Sequence, residues 1–178
     1  MEAMEAAFEL EGDRFAVRLS QGVRGLLVEL CQQSRALLES EDPSSDPAVA
    51  RLFPPAYEDD PLRNLEFETN LGGSPRTGKL EALDTVERTA RATSLSEDEL
   101  LAWVGVVNDL RIVLGTRIEI TEEATDEDFP PDDPRHDSYR AYLFLGYLLH
   151  EMLEAMGAPV LDEPPDEDAP EDSVGGGN

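Results

Sequence analysis

The sequence predicts a mainly α fold, an orthogonal helical bundle carrying a small N-terminal β-hairpin. Three observations predict it. Apolar residues recur at helical spacing over three long segments. A complete capping-box pattern, Ser96-Glu97-Asp98-Glu99, heads one of them. Period-two alternation is confined to the first twenty residues.

Phe8 and Leu10, then Phe15, Val17 and Leu19, alternate with polar residues around Glu11-Gly12-Asp13. That pattern is a hairpin with a glycine turn, whose apolar face must pack on helices to persist in water. Ser20 can cap the next element. Val23, Leu26, Leu27, Leu30, Ser34, Leu37 and Leu38 then follow at helical spacing, and the helix ends before Asp42-Pro43. Gly22 and Gly25 weaken it and suggest close approach of another element.

Residues 41–61 hold five prolines and read as a loop with one helical turn at Ala48–Phe53. Leu52, Phe53 and Tyr57 are expected to plug the core. A short helix is expected over Leu62–Leu71, broken by Gly72-Gly73-Ser74-Pro75. A longer one follows from Pro75 to Ala92, with Leu80, Leu83 and Val86 inward. Beyond the capping box, Leu100, Trp103, Val104, Val107, Leu110, Leu114 and Ile118 form one face of a helix ending near Arg117 or already at Gly115. Leu95 and Leu100 are placed for a hydrophobic staple.

Glu119 to Asp133 is acidic, contains proline and reads as a mobile loop. The last helix starts at Asp133-Pro134 or Asp137. Between 142 and 149 it is apolar nearly all round, which predicts a central position in the core or a dimer interface. Gly157 and Pro159 stop it. The expected organisation is one domain over 1–158 and an acidic, disordered tail over 159–178.

Charge excludes whole classes of function. Forty Asp and Glu face fourteen Lys and Arg, for a net charge of −26. No basic stripe exists to displace counterions from nucleic acid, and anionic membranes are disfavoured for the same reason. A basic protein partner is favoured by the same field. One cysteine, Cys31, excludes a disulfide scaffold. Glu2 and Glu5 in place of a basic start speak against a signal peptide, so the expected compartment is the cytoplasm.

Few residues suggest chemistry. His150 and Glu154 are i,i+4 on one helix and could hold a metal, or stand as a solvated helix end. His136 lies about 20 Å along the same helix, too far to share a site. Cys31 is either a thiol activated by Arg35 or a small buried hydrophobe. Asn108, Asp109, Arg111 and Arg117 sit in an apolar helix; Asp109 can reach Arg111 or Arg117 only through another element. Structural fixing is the simpler reading of that group. Gly72 to Lys79 lacks the order of a phosphate loop, because Leu80 follows the lysine. No catalytic residue, metal or cofactor is expected.

The run Trp103-Val104-Gly105-Val106-Val107-Asn108-Asp109-Leu110-Arg111-Ile112-Val113-Leu114-Gly115-Thr116-Arg117 is the most distinctive segment. It resembles the core of an actinobacterial family, domain of unknown function 2017, whose members are described as AosR-type oxidative-stress regulators. The opening hairpin, Arg51-Leu52-Phe53-Pro54-Pro55-Ala56-Tyr57, Gly78-Lys79-Leu80 and the aromatic last helix support the resemblance. It implies a non-enzymatic transcriptional regulator working through a protein such as a stress sigma factor or RNA polymerase. Trp103, Asn108, Asp109, Arg111 and Arg117 are then structural or partner-binding residues, and Cys31 the redox candidate. The redox-sensing members use a C-x-x-x-C pair; here Leu27 and Arg35 flank Cys31 at that spacing, so an internal disulfide switch is excluded. A hydrolytic or metal-binding enzyme using His150 and Glu154, and a structural homodimer through the last helix, are the competing expectations.

Overall fold

The computed structural model describes residues 6–40, 45–53 and 75–157. Tyr57, the expected helix over Leu62–Leu71, the Gly72-Gly73-Ser74 break and the tail after 158 lie outside these residues. The elements run β1 (Phe8–Glu11), β2 (Arg14–Val17), α1 (Gln21–Leu38), α2 (Pro47–Ala50), α3 (Pro75–Thr89), β3 (Ser94–Leu95), α4 (Glu97–Arg117) and α5 (His136–Ala155). A 3-10 turn, Asp126–Asp128, lies between the last two. The fold is mainly α with an N-terminal hairpin, as expected. Among the described residues, no helix is long and apolar enough to cross a membrane.

The hairpin pairs Phe8 with Val17 and Glu11 with Arg14. Gly12 takes φ +68° at the first turn position, the conformation that a two-residue hairpin of type II′ requires. Phe8, Phe15 and Val17 face inward and are buried. A third strand, absent from the sequence reading, completes the sheet: β3 pairs antiparallel with β2, Phe15 opposite Leu95. Two residues of strand carry no detectable alternation, so β3 was not legible. Its placement follows from the staple, because Leu95 must be buried beside Leu100, and both are fully buried.

The capping box forms as expected. The Ser96 hydroxyl accepts from the Glu99 amide at 3.2 Å, and the Glu99 carboxylate accepts from the Ser96 amide at 2.9 Å. The helix it starts, α4, is the centre of the bundle. It packs against α1, α2, α3, α5 and strands β2 and β3. Leu100, Trp103, Val106, Val107, Leu110 and Val113 are buried, and Val104, Ile112 and Leu114 pack partly buried on other sides. A helix apolar around most of its circumference must be central. That corrects one of the two expectations for the last helix, the central position. α5 buries Tyr139, Leu145, Leu148 and Met152 but leaves Leu143 46% and Tyr147 41% exposed.

Gly115 does not end α4. The chain stops at a Schellman motif four residues later: the Glu119 amide bonds to the Thr116 carbonyl and the Ile120 amide to the Gly115 carbonyl. Glu119 takes φ 56° there, a conformation that costs an L residue roughly 1–2 kcal/mol. The acidic loop that follows is folded onto α5 rather than free of the bundle. Ile118, Phe129 and Tyr139 form a second small core, with Phe129 and Tyr139 stacked at 4.3 Å. Thr125 and Asp128 form a reciprocal cap, and the Tyr139 hydroxyl donates to Asp126 at 2.9 Å. Gly22 and Gly25, expected to admit a close neighbour, have no such neighbour among the described residues.

One buried cation ties the parts together. Arg24 of α1 is only 6% exposed. Its guanidinium donates to the carbonyls of Leu19 at 3.0 Å, Val17 at 3.0 Å, Ala90 at 2.7 Å and Ala92 at 2.8 Å. Strand β2, the start of α1 and the end of α3 thus meet on one side chain. Replacing Arg24 with Met leaves these carbonyls unpaired, the Val17 and Ala90 contacts being buried. An unsatisfied buried acceptor costs about 1–3 kcal/mol. Arg24→Met is therefore expected to lower stability by about 3 kcal/mol, read as a shift of the urea midpoint at unchanged slope. A loss under about 1 kcal/mol contradicts this role.

Candidate functional site

The polar residues singled out on α4 separate into distinct contacts. Trp103 is fully buried, donates from Nε1 to Thr89 Oγ1 at 2.8 Å and meets Phe8 edge-on at 6.2 Å. It joins hairpin, α3 and α4, which is a packing role. Asp109 pairs with neither Arg111 nor Arg117. Its carboxylate oxygens lie 2.8 and 3.0 Å from Lys79 Nζ on α3. Burial raises the Asp109 pKa, and the Lys79 ammonium opposes that. The chain's one lysine is thus placed where a half-buried carboxylate needs a cation.

Arg111 lies over the Tyr142 ring, its Cζ 4.6 Å from the centroid, and donates from Nη2 to the Tyr142 hydroxyl at 2.9 Å. Gly146 makes this possible, because a Cβ there would sit 3.3 Å from Arg111 Nε. Arg117 reaches Asp46 at 3.2 Å. Asp46 caps α2 through the Ala48 and Val49 amides, and these contacts, the Ala48 amide first, lower its pKa. Asn108 is half-buried between these pairs. The sequence-predicted group therefore lies along one helix and ties it to α2, α3 and α5 separately.

Cys31 sits inside the bundle with no exposed surface. The cation expected to activate it is already engaged: Arg35 lies 3.0 Å from Glu87 and also pairs with Asp84. Burial, and after it the Glu87 carboxylate, push the thiol up to about 12, against a smaller pull from Arg35. A thiolate is disfavoured in this position. His150 and Glu154 lie 3.6 Å apart at a solvated surface, 42% and 55% exposed. His136 points its Nδ1 at the Phe129 carbonyl, 2.7 Å away. No group of three His, Cys, Asp or Glu suited to a metal occurs among the described residues.

A depression follows the first half of α5. It is a groove of about 540 Å³ lined by Phe129, Pro131, Tyr139, Leu143 and Phe144, with Asp126, His136 and Arg140 at its edges. Leu143 and Tyr147 stand one helical turn apart on the same helix, exposed beside it. The loop that walls the groove carries Glu119, Glu122, Glu123, Asp126, Glu127, Asp128, Asp132 and Asp133. Arg135, which pairs with Asp133 at 2.8 Å, and Arg140 are cations beside it. The sequence does not reveal this groove, since an acidic loop reads as mobile and a helix apolar nearly all round as central or as a dimer interface. Phe129, alone in an acidic run, was the available signal that the loop folds back.

Residues 4–156 match the model of a family described as a domain of unknown function, DUF2017. The chain is 28% identical over 176 residues to proteins named oxidative stress regulator AosR from Mycobacterium bovis and Mycobacterium tuberculosis, covering 78% of this chain and 80% of theirs. It is also 28% identical over 130 residues to a Mycobacterium leprae protein named putative oxidative stress regulator AosR, covering 64% of this chain and 59% of that one. No solved structure matches the chain.

The burial of Cys31 has measurable consequences. The folded thiol keeps its proton to about 12, whereas the ordinary thiol value is 9.0. A native pKa above the unfolded one contributes stability that is complete below pH 9 and is lost as pH rises toward about 12. The loss is about 1.4 kcal/mol per pH unit across that window. Comparing urea stability of wild type and Cys31→Ala isolates it, because the other titrating groups are common to both. A thiol-specific chromogenic reagent should label the native protein at neutral pH only as fast as the bundle opens. Rapid stoichiometric labelling without denaturant would restore Cys31 as an exposed sensor.

Proposed function

Since the chain belongs to the DUF2017 family, we propose that it is a non-enzymatic, cytoplasmic regulator of the oxidative-stress response that acts by binding a protein rather than DNA. The names of its relatives support the regulatory role. The observation that carries the mode of action is the groove on α5, which is mostly apolar, with Asp126, His136 and Arg140 in its lining, and which is bordered by a loop rich in acids. Apolar floors with a charged rim are how protein interfaces combine affinity with orientation. The occupant this surface fits is a basic amphipathic segment. It would set an apolar side chain against Leu143, Phe144 and Phe129 and its Lys or Arg against Glu122, Glu123 and Glu127. A second copy of this chain is the poorer fit, because two surfaces of the same sign would meet.

The proposed partner class is the transcription machinery, a stress sigma factor or RNA polymerase. A net charge of −26 opposes any approach to nucleic acid, so influence on transcription requires an intermediary. Against hydrolytic or metal chemistry stands the isolation of His150 and Glu154, which share no cavity with a third ligand or nucleophile among the described residues.

Binding to purified stress sigma factors and core polymerase tests this reading. Capture should be strong at about 0.1 M salt and weaken steeply toward about 1 M, where charges are screened within roughly 3 Å. Leu143→Ser with Tyr147→Ser should reduce capture by at least about tenfold without altering the urea midpoint, since both side chains are exposed. Absence of a salt-sensitive partner in both preparations would count against a transcriptional role. A dimer by light scattering that the same double substitution disperses would show the groove to be a homodimer interface instead.

A further inference from the structure

A second depression, of about 170 Å³, lies on the other side of Tyr142. It is lined by Arg51, Arg111, Ile112, Gly115, Thr116 and Tyr142, together with Ile120. Two of its walls are cations, in a chain where carboxylates outnumber bases forty to fourteen. Arg18, Arg35, Lys79, Arg117 and Arg135 each lie against a carboxylate. Arg51 and Arg111 have no carboxylate partner among the described residues. Two like charges facing one small space repel each other unless an anion joins them.

Arg111 is also held ready. It packs over the Tyr142 ring and close against Gly146. Of its five N–H donors only Nη2 has a partner, the Tyr142 hydroxyl, and the buried Nε has none. The Tyr142 oxygen accepts that bond, which leaves its own proton free to donate. The nearby end of α4 would oppose an anion through its carbonyls, but the Leu114, Gly115 and Thr116 carbonyls already accept the amides of Ile118, Ile120 and Glu119. Thr116 contributes no donor, because its hydroxyl bonds to the Ile112 carbonyl at 2.9 Å.

We infer that this pocket binds a single oxyanion, a phosphate group or a carboxylate, held by the Arg111 fork, the Arg51 guanidinium and the Tyr142 hydroxyl. The volume equals the liquid share of about five or six waters, enough for one such group and its first contacts. A guanidinium whose Nη1 donors are without a partner is suited to charge-assisted recognition of an oxyanion. The site is separate from the α5 groove and does not depend on the protein-docking reading.

The test is an amide-resolved NMR titration with inorganic phosphate, and separately with acetate, at constant ionic strength set by chloride. Saturable shifts are expected at residues 111–116 and at Tyr142. Arg51→Gln should weaken binding by about tenfold, the loss of one charge-assisted contact. Arg51 is exposed, so the variant stays folded. Arg91→Gln removes the same unit of charge from a distant exposed position and should leave binding within about twofold. Response to phosphate but not acetate assigns the site to a phosphate group, and saturable response to acetate assigns it to a carboxylate. No saturable shift with either anion overturns the proposal. Equal losses in the two variants do so as well, because they reduce the effect to net charge.

Discussion

Arg24 stands where strand β2, the first turn of α1 and the end of α3 converge. Its four carbonyl contacts set the distance between hairpin and bundle. The remaining packing depends on that distance. Phe8 can lie edge-on to Trp103 only if the hairpin is held over α4, and β3 can add to β2 only if the α3–α4 connection is held beside it. A guanidinium suits the position because its donors radiate in one plane, toward carbonyls that arrive from three directions. Carbonyl dipoles, rather than a carboxylate, offset the charge. The arrangement keeps a cation buried without drawing one of the many acids into the core, where desolvating it would be unfavourable.

The excess of acid over base shapes the rest of the surface. Most of the described cations serve as cross-links between elements. Arg35 joins α1 to α3, Lys79 joins α3 to α4, and Arg117 joins α4 to the cap of α2. Acids left without partners gather on the loop between α4 and α5, beside the apolar strip of Leu143 and Tyr147. A surface of that kind repels other anionic surfaces. The same scarcity gives weight to Arg51 and Arg111, which face one pocket while carboxylates abound elsewhere.

Much of the bundle was legible in the sequence because short-range chemistry fixed it. The Ser96–Glu99 box, the Ser20 cap, the glycine turn at Gly12 and the stop at Gly157 are decided within a few residues, and each forms where expected. What failed were judgements of depth. Periodicity showed two apolar helices but not which was central; Val106 and Val113 widen the buried face of α4, whereas Leu143 and Tyr147 on α5 are left partly exposed by the described residues. Contacts across long stretches of sequence were equally hidden. Nothing local to Asp109 points to Lys79, thirty residues earlier, and nothing local to Arg24 reveals that Ala90 and Ala92 will present carbonyls to it. The loop after Ile118 looked unstructured because acids dominate its composition, yet Phe129 and a reciprocal Thr125–Asp128 cap are enough to fold it back. The family match extends over residues 4–156, whereas the redox candidate Cys31 is a single, fully buried thiol.

Hydrogen–deuterium exchange on the chain, alone and in the presence of a purified sigma factor or core polymerase that captures it, tests the central claim most directly. If regulation runs through the acidic groove, protection on binding should fall on the loop around Phe129 and on the first half of α5, with the hairpin unchanged. Protection confined to the hairpin or to α1, with the α5 face exchanging as in the free protein, would contradict it.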